Sequence, residues 1–188
     1  MTTHIALLRG VNVSGANRLP MAEFRDMLGG LGLTNARSYI ASGNAVFDTD
    51  LGADALEALI GDAIQTHFGF APDVFILTPA EVLAALHDHP FAAADPARVH
   101  VFFVKTVSAS VDDLGLQALS AQGDGWHISG NRFHLHTPAG FGTSKLAAKL
   151  PRFLPAPMTA RNLRTIAALV AMVGEGNAPM WMVGWHPP

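Results

Sequence analysis

The chain of 188 residues contains no cysteine, a single tyrosine and few charged side chains. The absence of cysteine excludes disulfides, thiolate metal sites and a cysteine nucleophile. Charged residues make up 14% of the sequence and hydrophobic residues 49%, a balance that excludes a disordered chain and favours a globular one. No apolar run reaches the roughly 20 residues of a membrane-spanning helix, and no signal peptide is recognisable. We therefore expect a cytoplasmic protein with no membrane partner.

The sequence also lacks an excess of basic residues. Its net charge is −3 and its isoelectric point is near 6.3. Proteins that bind duplex nucleic acid usually present a broad basic face, so the charge argues against that function. A local basic patch remains compatible with this composition.

Apolar periodicity predicts the order β-α-β-β-α-β in the first part of the chain. The predicted strands are 4–8, 36–41, 45–48 and 73–77, and the helices begin at Pro20 and at Ala53. The two middle strands are joined by Ser42-Gly43-Asn44, where Gly43-Asn44 suits a two-residue hairpin turn. This order is the split βαβ unit of a ferredoxin-like domain.

The second part of the chain repeats that order. Helices are expected at 79–86, 111–121, 143–150 and 163–173, strands at 98–105, 125–129 and 131–137, and extended chain at 155–162. ASGNAVFDT at 41–49 and ISGNRFHLHT at 128–137 occupy the same predicted hairpin, which indicates an internal duplication. We predict an α+β fold of two ferredoxin-like (βαββαβ) subdomains in tandem with an extra C-terminal helix. Their predicted bounds are 1–78 and 98–174, with a helical connector at 79–97 and an apolar tail at 175–188.

A polar loop follows the first predicted strand. Residues 8–20 read LRGVNVSGANRLP and lead into the first helix. Gly10 and Gly15 have the spacing that opens a Walker A motif, but no Lys-Ser or Lys-Thr pair follows them, which excludes a P-loop. Backbone N–H groups in a turn before a helix N-terminus attract anions.

Two arginines strengthen the interpretation of this loop as an anion site. Arg9 and Arg18 flank it, and a planar guanidinium binds two oxygens of a phosphate or carboxylate at once. The alternative is that Asn12, Asn17 and Arg18 satisfy the loop's own backbone groups. Both interpretations are open at this point.

A second polar constellation lies near the end of the chain. Ser144-Lys145 begins a predicted helix, and Arg161-Asn162, with Thr165 after it, begins the last one, where Asn162 suits an N-cap. Lys145 opposes the helix dipole, which indicates a negative group nearby, either a ligand or a carboxylate. The alternative is a cap with solvated basic residues.

Three histidines share one predicted sheet face. A two-residue turn at Gly130-Asn131 places His127 opposite His134, and His136 lies on the same face. His100 is expected to join them from a neighbouring strand. Imidazoles so placed suit zinc, nickel or copper. The alternative is an open, wet sheet face, and we assign no metal.

These segments together resemble a bacterial family known as domain of unknown function 1697. The resemblance rests on ALLRGVNVSGANRLPMAEFRDML, the SGNAVF hairpin at 42–47, SKL at 144–146 and TARN at 159–162, and it covers nearly the whole chain. It implies a pair of ferredoxin-like subdomains and no activity. In the family a glycine is usual at the position of Ser14 and a tryptophan at that of Leu163. The matching positions are Arg9, Gly10, Asn12, Gly15, Asn17, Ser42, Gly43, Asn44, Ser144, Lys145, Arg161, Asn162 and Thr165.

The sequence predicts a protein that binds a phosphate- or carboxylate-bearing small molecule or a nucleotide at a polar site between the two subdomains. The predicted ligand-binding residues are Arg9, Asn12, Asn17, Arg18, Ser42, Asn44, Ser144, Lys145, Arg161 and Asn162. Two alternatives stay open: a structural or protein-interaction module without a small ligand, and a binder of single-stranded nucleic acid. No catalytic residue or cofactor is assigned, because no nucleophile–base pair stands out. The tail, with Trp181 and Trp185, offers an apolar surface for a homo-oligomer.

Overall fold

The computed structural model describes residues 1–13, 15–106, 112–120 and 123–177. The strands are β1 (Thr2–Leu8), β2 (Thr34–Tyr39), β3 (Asn44–Thr49), β4 (Val74–Leu77), β5 (Val99–Val104), β6 (Gly125–Ser129), β7 (Arg132–His136) and β8 (Met158–Asn162). The helices are α1 (Met21–Gly30), α2 (Ala53–Phe68), α3 (Pro79–His87), α4 (Asp113–Leu119), α5 (Lys145–Lys149) and α6 (Leu163–Asn177). The predicted α+β class is confirmed. The predicted oligomer contact through Trp181 and Trp185 lies outside the described residues.

The chain divides into two compact units. The first holds Met1–Leu83 together with the described residues from Ala167 onward, and the second holds Ala84–Ile166. The bounds that the sequence predicts for subdomains, connector and tail stay a prediction. No helix among the described residues is long and apolar enough to cross a membrane.

The first unit contains a four-stranded antiparallel sheet in the order β2-β3-β1-β4. Alternate residues of β1 and β3 face α1 and α2, because side chains of a strand point to opposite faces in turn. Phe24 of α1 and Ile60 of α2 are fully buried in this core with Phe47 of β3. Burial of each of these side chains contributes about 1.5–3 kcal/mol. The polar loop begins where β1 ends, at Leu8, the last buried core residue of the strand.

The second unit contains a sheet with the equivalent order, β6-β7-β5-β8. Its strands are again antiparallel, and β5 lies between β7 and β8. Leu116 of α4 and Leu146 of α5 are buried against Phe133 and Leu135 of β7. In each unit, helices thus pack on the sheet face that carries these core residues.

The two hairpins that share Ser-Gly-Asn turn differently. In the second, Ser129 pairs with Arg132, so the predicted two-residue turn at Gly130-Asn131 is confirmed. In the first, Tyr39 pairs with Asn44, so a four-residue turn at 40–43 joins the strands and the predicted turn at Gly43-Asn44 is wrong. The physical reason is that Asn44 is a buried strand residue, whose amide donates hydrogen bonds to Tyr39 O at 3.0 Å and to Ser42 Oγ at 2.9 Å.

Candidate functional site

The described residues of the polar loop, 9–13 and 15–19, form a miniature hairpin. The Asn12 N–H donates to Asn17 O at 3.0 Å, and the Ala16 N–H donates to Val13 O at 2.9 Å. Val11 and Leu19 are buried and fix the base of the loop in the first core. Only a loop with several left-handed residues folds so tightly, which explains its glycines and asparagines. The residues with positive φ are Gly10, Asn12, Gly15 and Asn17.

The Asn12 side chain holds the loop closed. Its Nδ2 donates to Leu19 O at 2.9 Å, and its Oδ1 accepts from the Leu19 N–H at 2.8 Å. The same Nδ2 donates to Ala41 O at 2.8 Å in the neighbouring turn 40–43. Asn17 makes a similar bond from its Nδ2 to Gly10 O at 3.0 Å. Both asparagines therefore satisfy backbone groups, as the alternative interpretation of the loop holds for them.

Turn 40–43 packs directly against this loop. The Leu8 N–H donates to Gly43 O at 2.8 Å. A Cβ atom on Gly43 would lie only 2.6 Å from Val11 Cγ2 and 2.8 Å from Leu8 Cβ. No side chain fits there, so glycine permits the close approach of the two segments. The loop and the turn form one rigid surface, which we call the N-terminal tip.

The arginines of the loop differ in their surroundings. Arg9 donates from Nη1 to Asp73 Oδ2 at 3.0 Å, and this ion pair is half exposed. Such a surface pair contributes about 0–1 kcal/mol and is readily exchanged for another anion. Arg18 is exposed, and its guanidinium has neither a hydrogen bond nor an ion pair within the described parts of the chain. The alternative interpretation, in which the Arg18 side chain satisfies backbone groups of the loop, is therefore wrong among the described residues.

The Ser144-Lys145 segment begins α5, as predicted. Ser144 is the N-cap: its Oγ accepts from the Ala147 N–H at 3.1 Å and donates to Asp124 Oδ2 at 3.3 Å. The Asp124 carboxylate is thus one negative group near the helix start, where the sequence indicated such a group. Lys145 is exposed beside it.

The Arg161-Asn162 segment ends β8 and begins α6. Asn162 Oδ1 accepts from the Thr165 N–H at 2.9 Å, which confirms the predicted N-cap. Arg161 is buried, and its Nη1 donates to Thr159 Oγ1 at 2.9 Å and to Ala160 O at 2.8 Å. Burial lowers the pKa of Arg161 to about 10, so the side chain stays a cation at neutral pH.

The predicted ligand-binding residues fall into two groups, one in each unit. The group in the first unit consists of Arg9, Asn12, Asn17, Arg18, Ser42 and Asn44. The group in the second unit consists of Ser144, Lys145, Arg161 and Asn162. Within the first unit, hydrogen bonds join the loop and turn segments that carry its group. A single site that draws on both groups stays a prediction.

The histidine face of the second sheet is partly covered: His134 is buried, whereas His127 and His136 are half-buried. His127 lies opposite His134, with ring centroids 6.2 Å apart, and His89 of the chain after α3 packs on His134 at 5.1 Å. The Nε2 of His134 lies 2.8 Å from Ala85 O and so carries the proton, while its buried Nδ1 has no hydrogen-bond partner in the described part of the chain. Burial lowers the pKa of His134 to about 4. The alternative of an open, wet face is therefore wrong for His134.

His100 does not join this histidine face. It pairs with Leu135 and so lies on the opposite, helix-facing side of the sheet, where it stacks on Phe141 with centroids 3.9 Å apart. Burial lowers the pKa of His100 to about 4. Among the described residues no group of three histidine, aspartate or glutamate side chains is placed to hold a metal ion.

Sequence reasoning missed two features of these surfaces. Asp73 pairs with Arg9 across 64 positions of sequence, and no local pattern signals such a partner. His89 and Phe91 stack at 6.0 Å and cover the histidine face. Their clustering as His-Pro-Phe within an alanine- and proline-rich connector was the available signal.

The fold defines an α+β protein with two sheets of equivalent strand order. The profile of the family described as "Protein of unknown function (DUF1697)" matches residues 1–134. The chain belongs to that family, and the predicted membership is confirmed. No curated protein matches significantly. Among solved structures, the chain is similar to the conserved bacterial protein SP0830 from Streptococcus pneumoniae. The two share 24% identity and a TM-score of 0.71, with 92% of this chain and 98% of that one covered, a likeness of fold alone.

Proposed function

We propose that the protein binds a small phosphate- or carboxylate-bearing molecule at its N-terminal tip. The observation that carries this proposal is Arg18, an exposed guanidinium without a partner in the described residues, set on a loop that is held rigid. Because hydrogen bonds hold the loop backbone, little backbone freedom is lost when an anion binds beside Arg18, which favours affinity. Arg9 flanks the same loop and exchanges its half-exposed pair with Asp73 for a ligand oxygen.

The asparagines of the tip support this site indirectly. The side-chain amides of Asn12 and Asn17 donate to backbone carbonyl oxygens of the loop. In this proposal they orient the loop rather than contact the ligand. Glu23, in the first turn of α1, already offsets the positive end of that helix. The arginines, rather than the helix end, therefore supply the attraction in this proposal. Lys145 and Arg161 of the second unit extend the ligand site only if one ligand reaches both groups.

The experiment is thermal unfolding in chloride buffer with phosphate, adenosine monophosphate, acetate or a short single-stranded oligonucleotide, at constant ionic strength. A ligand at 100 times its dissociation constant adds about 2.7 kcal/mol, a shift of several degrees for a chain of this size. We expect the shift to be lost in Arg18→Ala and kept in Arg152→Ala, which removes an exposed arginine of the other unit. Equal loss in both variants, or no shift with any anion, contradicts the proposal.

A protein-interaction module is the second candidate, and exposed apolar residues of the tip favour it. Val13 is 57% and Ile40 53% exposed. Their chain neighbours Asn12 and Ala41 are joined by a hydrogen bond of 2.8 Å. Ile40 has φ +47°, a conformation that costs a β-branched residue roughly 1–3 kcal/mol and that is concentrated at functional sites. Self-association or capture of a defined partner that is lost in Ile40→Asn, with anion binding absent, would favour this candidate.

We also propose that the two units are tandem ferredoxin-like repeats of a cytoplasmic protein. The support is the equivalent strand order of the two sheets, β2-β3-β1-β4 and β6-β7-β5-β8, each built from β-α-β-β-α-β. Permuting the gene so that the chain begins near Ala84 tests the repeat, because each repeat should still form its own sheet.

A further inference from the structure

A concave site distinct from the N-terminal tip lies between α1 and the end of α2 in the first unit. Its volume is about 450 Å³, within the range of pockets that hold small molecules. Met27, Leu31 and Phe68 supply its apolar lining, and all three belong to or pack against the first core. The cavity therefore has a fixed floor, and no predicted ligand-binding residue contributes to it.

The polar side chains that line this cavity are two exposed carboxylates and one exposed imidazole. Glu23 and Asp26 line it from α1, and within the described ranges neither carboxylate makes a hydrogen bond or ion pair. His67 lines it from α2. Its Nδ1 lies 2.9 Å from Ala63 O, and the ring is exposed at the edge of the cavity. A ligand that satisfies the two carboxylates must donate hydrogen bonds.

The C-terminal end of α2 also favours a cationic ligand in this cavity. His67 and Phe68 form the last residues of α2, and Gly69 closes the helix in a left-handed conformation. The C-terminal end of a helix carries a partial negative charge, which favours a cation within its last turn. Two carboxylates and this helix end therefore give the cavity a negative rim above an apolar floor.

We propose that this cavity binds a small organic cation, an ammonium or guanidinium group attached to an apolar body. The cationic group lies between Glu23 and Asp26 and donates to their oxygens, and the apolar body lies over Met27, Leu31 and Phe68. This ligand has the opposite charge to the one proposed for the N-terminal tip. The two sites are independent, and either one stands if the other fails.

Three probes of one shape test the charge requirement in the full-length chain. They are 2-phenylethylamine, 2-phenylethanol and phenylacetate, which share the apolar body and differ in charge. We expect isothermal titration and chemical-shift changes of the α1 amides to show binding of the amine alone. Equal binding of the alcohol would show a merely apolar groove, and no binding of the amine at millimolar concentration would overturn the proposal.

Matched variants locate the binding. Glu23→Gln with Asp26→Asn should weaken amine binding at least tenfold, whereas Asp62→Asn, an exposed carboxylate of α2 outside the cavity, should leave it unchanged. Gly30→Leu should block the cavity, and Gly29→Leu is its control. A Cβ on either glycine meets no atom within 4 Å, but only Gly30 lines the cavity. The assignment would be overturned if Gly30→Leu and Gly29→Leu weakened amine binding equally. It would also be overturned if Asp62→Asn weakened it as much as the Glu23 and Asp26 substitutions do.

Discussion

Asn12 and Ala41 join two segments that the sequence keeps 29 positions apart: the Asn12 side-chain amide donates to the Ala41 carbonyl at 2.8 Å. The same side chain also closes the loop: it donates to the carbonyl oxygen of Leu19 and accepts from the N–H of Leu19. One side chain thus fixes the shape of the N-terminal tip.

Replacement of Asn12 by glycine should cost about 2–3 kcal/mol of unfolding free energy, because three hydrogen bonds are lost while the positive φ stays accessible. Asn17→Gly is the matched control, with a similar positive φ and a single side-chain bond to Gly10 O, and should cost about 1 kcal/mol. Urea unfolding measures both. Equal costs would contradict the central place of Asn12.

Gly43→Ala should destabilise the first unit by about 3 kcal/mol, since its Cβ meets Val11 and Leu8 within 2.8 Å and φ is +72°. Gly10→Ala has a similar φ of +68° and open space around the Cβ, so only the cost of the left-handed conformation, about 1 kcal/mol, remains. The difference between the two variants in thermal or urea unfolding measures the close contact. A difference near zero would mean that the turn moves away freely.

Ile40→Asn should stabilise the protein by about 0.5–1 kcal/mol, because asparagine tolerates positive φ and isoleucine does not. Leu51→Asn replaces another exposed apolar residue, 43% exposed and without positive φ, and should change stability by less than about 0.5 kcal/mol. Differential scanning calorimetry distinguishes the two. Destabilisation by Ile40→Asn would show that the isoleucine makes contacts which outweigh its strained backbone.

The stability of the second unit should fall with acidification. Burial lowers the pKa of His134 from 6.5 to about 4, so between these values the unfolded chain binds a proton that the folded chain does not. The free energy of unfolding therefore decreases as the pH falls from 6.5 towards 4, and His100 contributes with the same sign. The measurement is urea unfolding across that range.

Variants separate titration from packing in this pH dependence. His134→Gln keeps a donor for Ala85 O but removes the imidazole, so the decrease below pH 6.5 should become smaller. Phe91→Leu disturbs the same layer, through its contact with His136, without removing an imidazole, and should lower stability at every pH alike. If Phe91→Leu reduced the pH dependence and His134→Gln did not, His134 would not be the source of the loss of stability below pH 6.5.

The second hairpin was predictable because its register depends on local chemistry. Gly130 takes a positive φ of +57°, and the alternation of Trp126, Ile128, Phe133 and Leu135 with polar residues fixes which side faces the helices. The first hairpin shares Ser-Gly-Asn, but there an isoleucine adopts positive φ at Ile40. Isoleucine rarely adopts that conformation, so the sequence pattern placed the turn at Gly43-Asn44 instead.

The candidate site was predictable only as a segment. The glycines, asparagines and arginines of residues 9–19 mark a structured polar loop, and the structure contains one. Which side chains serve the backbone and which stay exposed depends on contacts with Ala41 and Asp73, far along the chain. Likewise, the expected wet histidine face depended on strand alternation alone, whereas His89 and Phe91 reach it from a connector without periodicity.

The division of the first unit into two chain segments bears on how the protein is made. Ala84–Ile166 separates Met1–Leu83 from the residues of α6 that complete the same unit. A ribosome takes roughly 4–17 s to synthesise that intervening stretch at 5–20 residues per second. At the end of this interval all residues of the second unit have been synthesised, whereas the first unit still lacks its residues from α6. The unit whose synthesis begins first is therefore the unit whose chain is completed last.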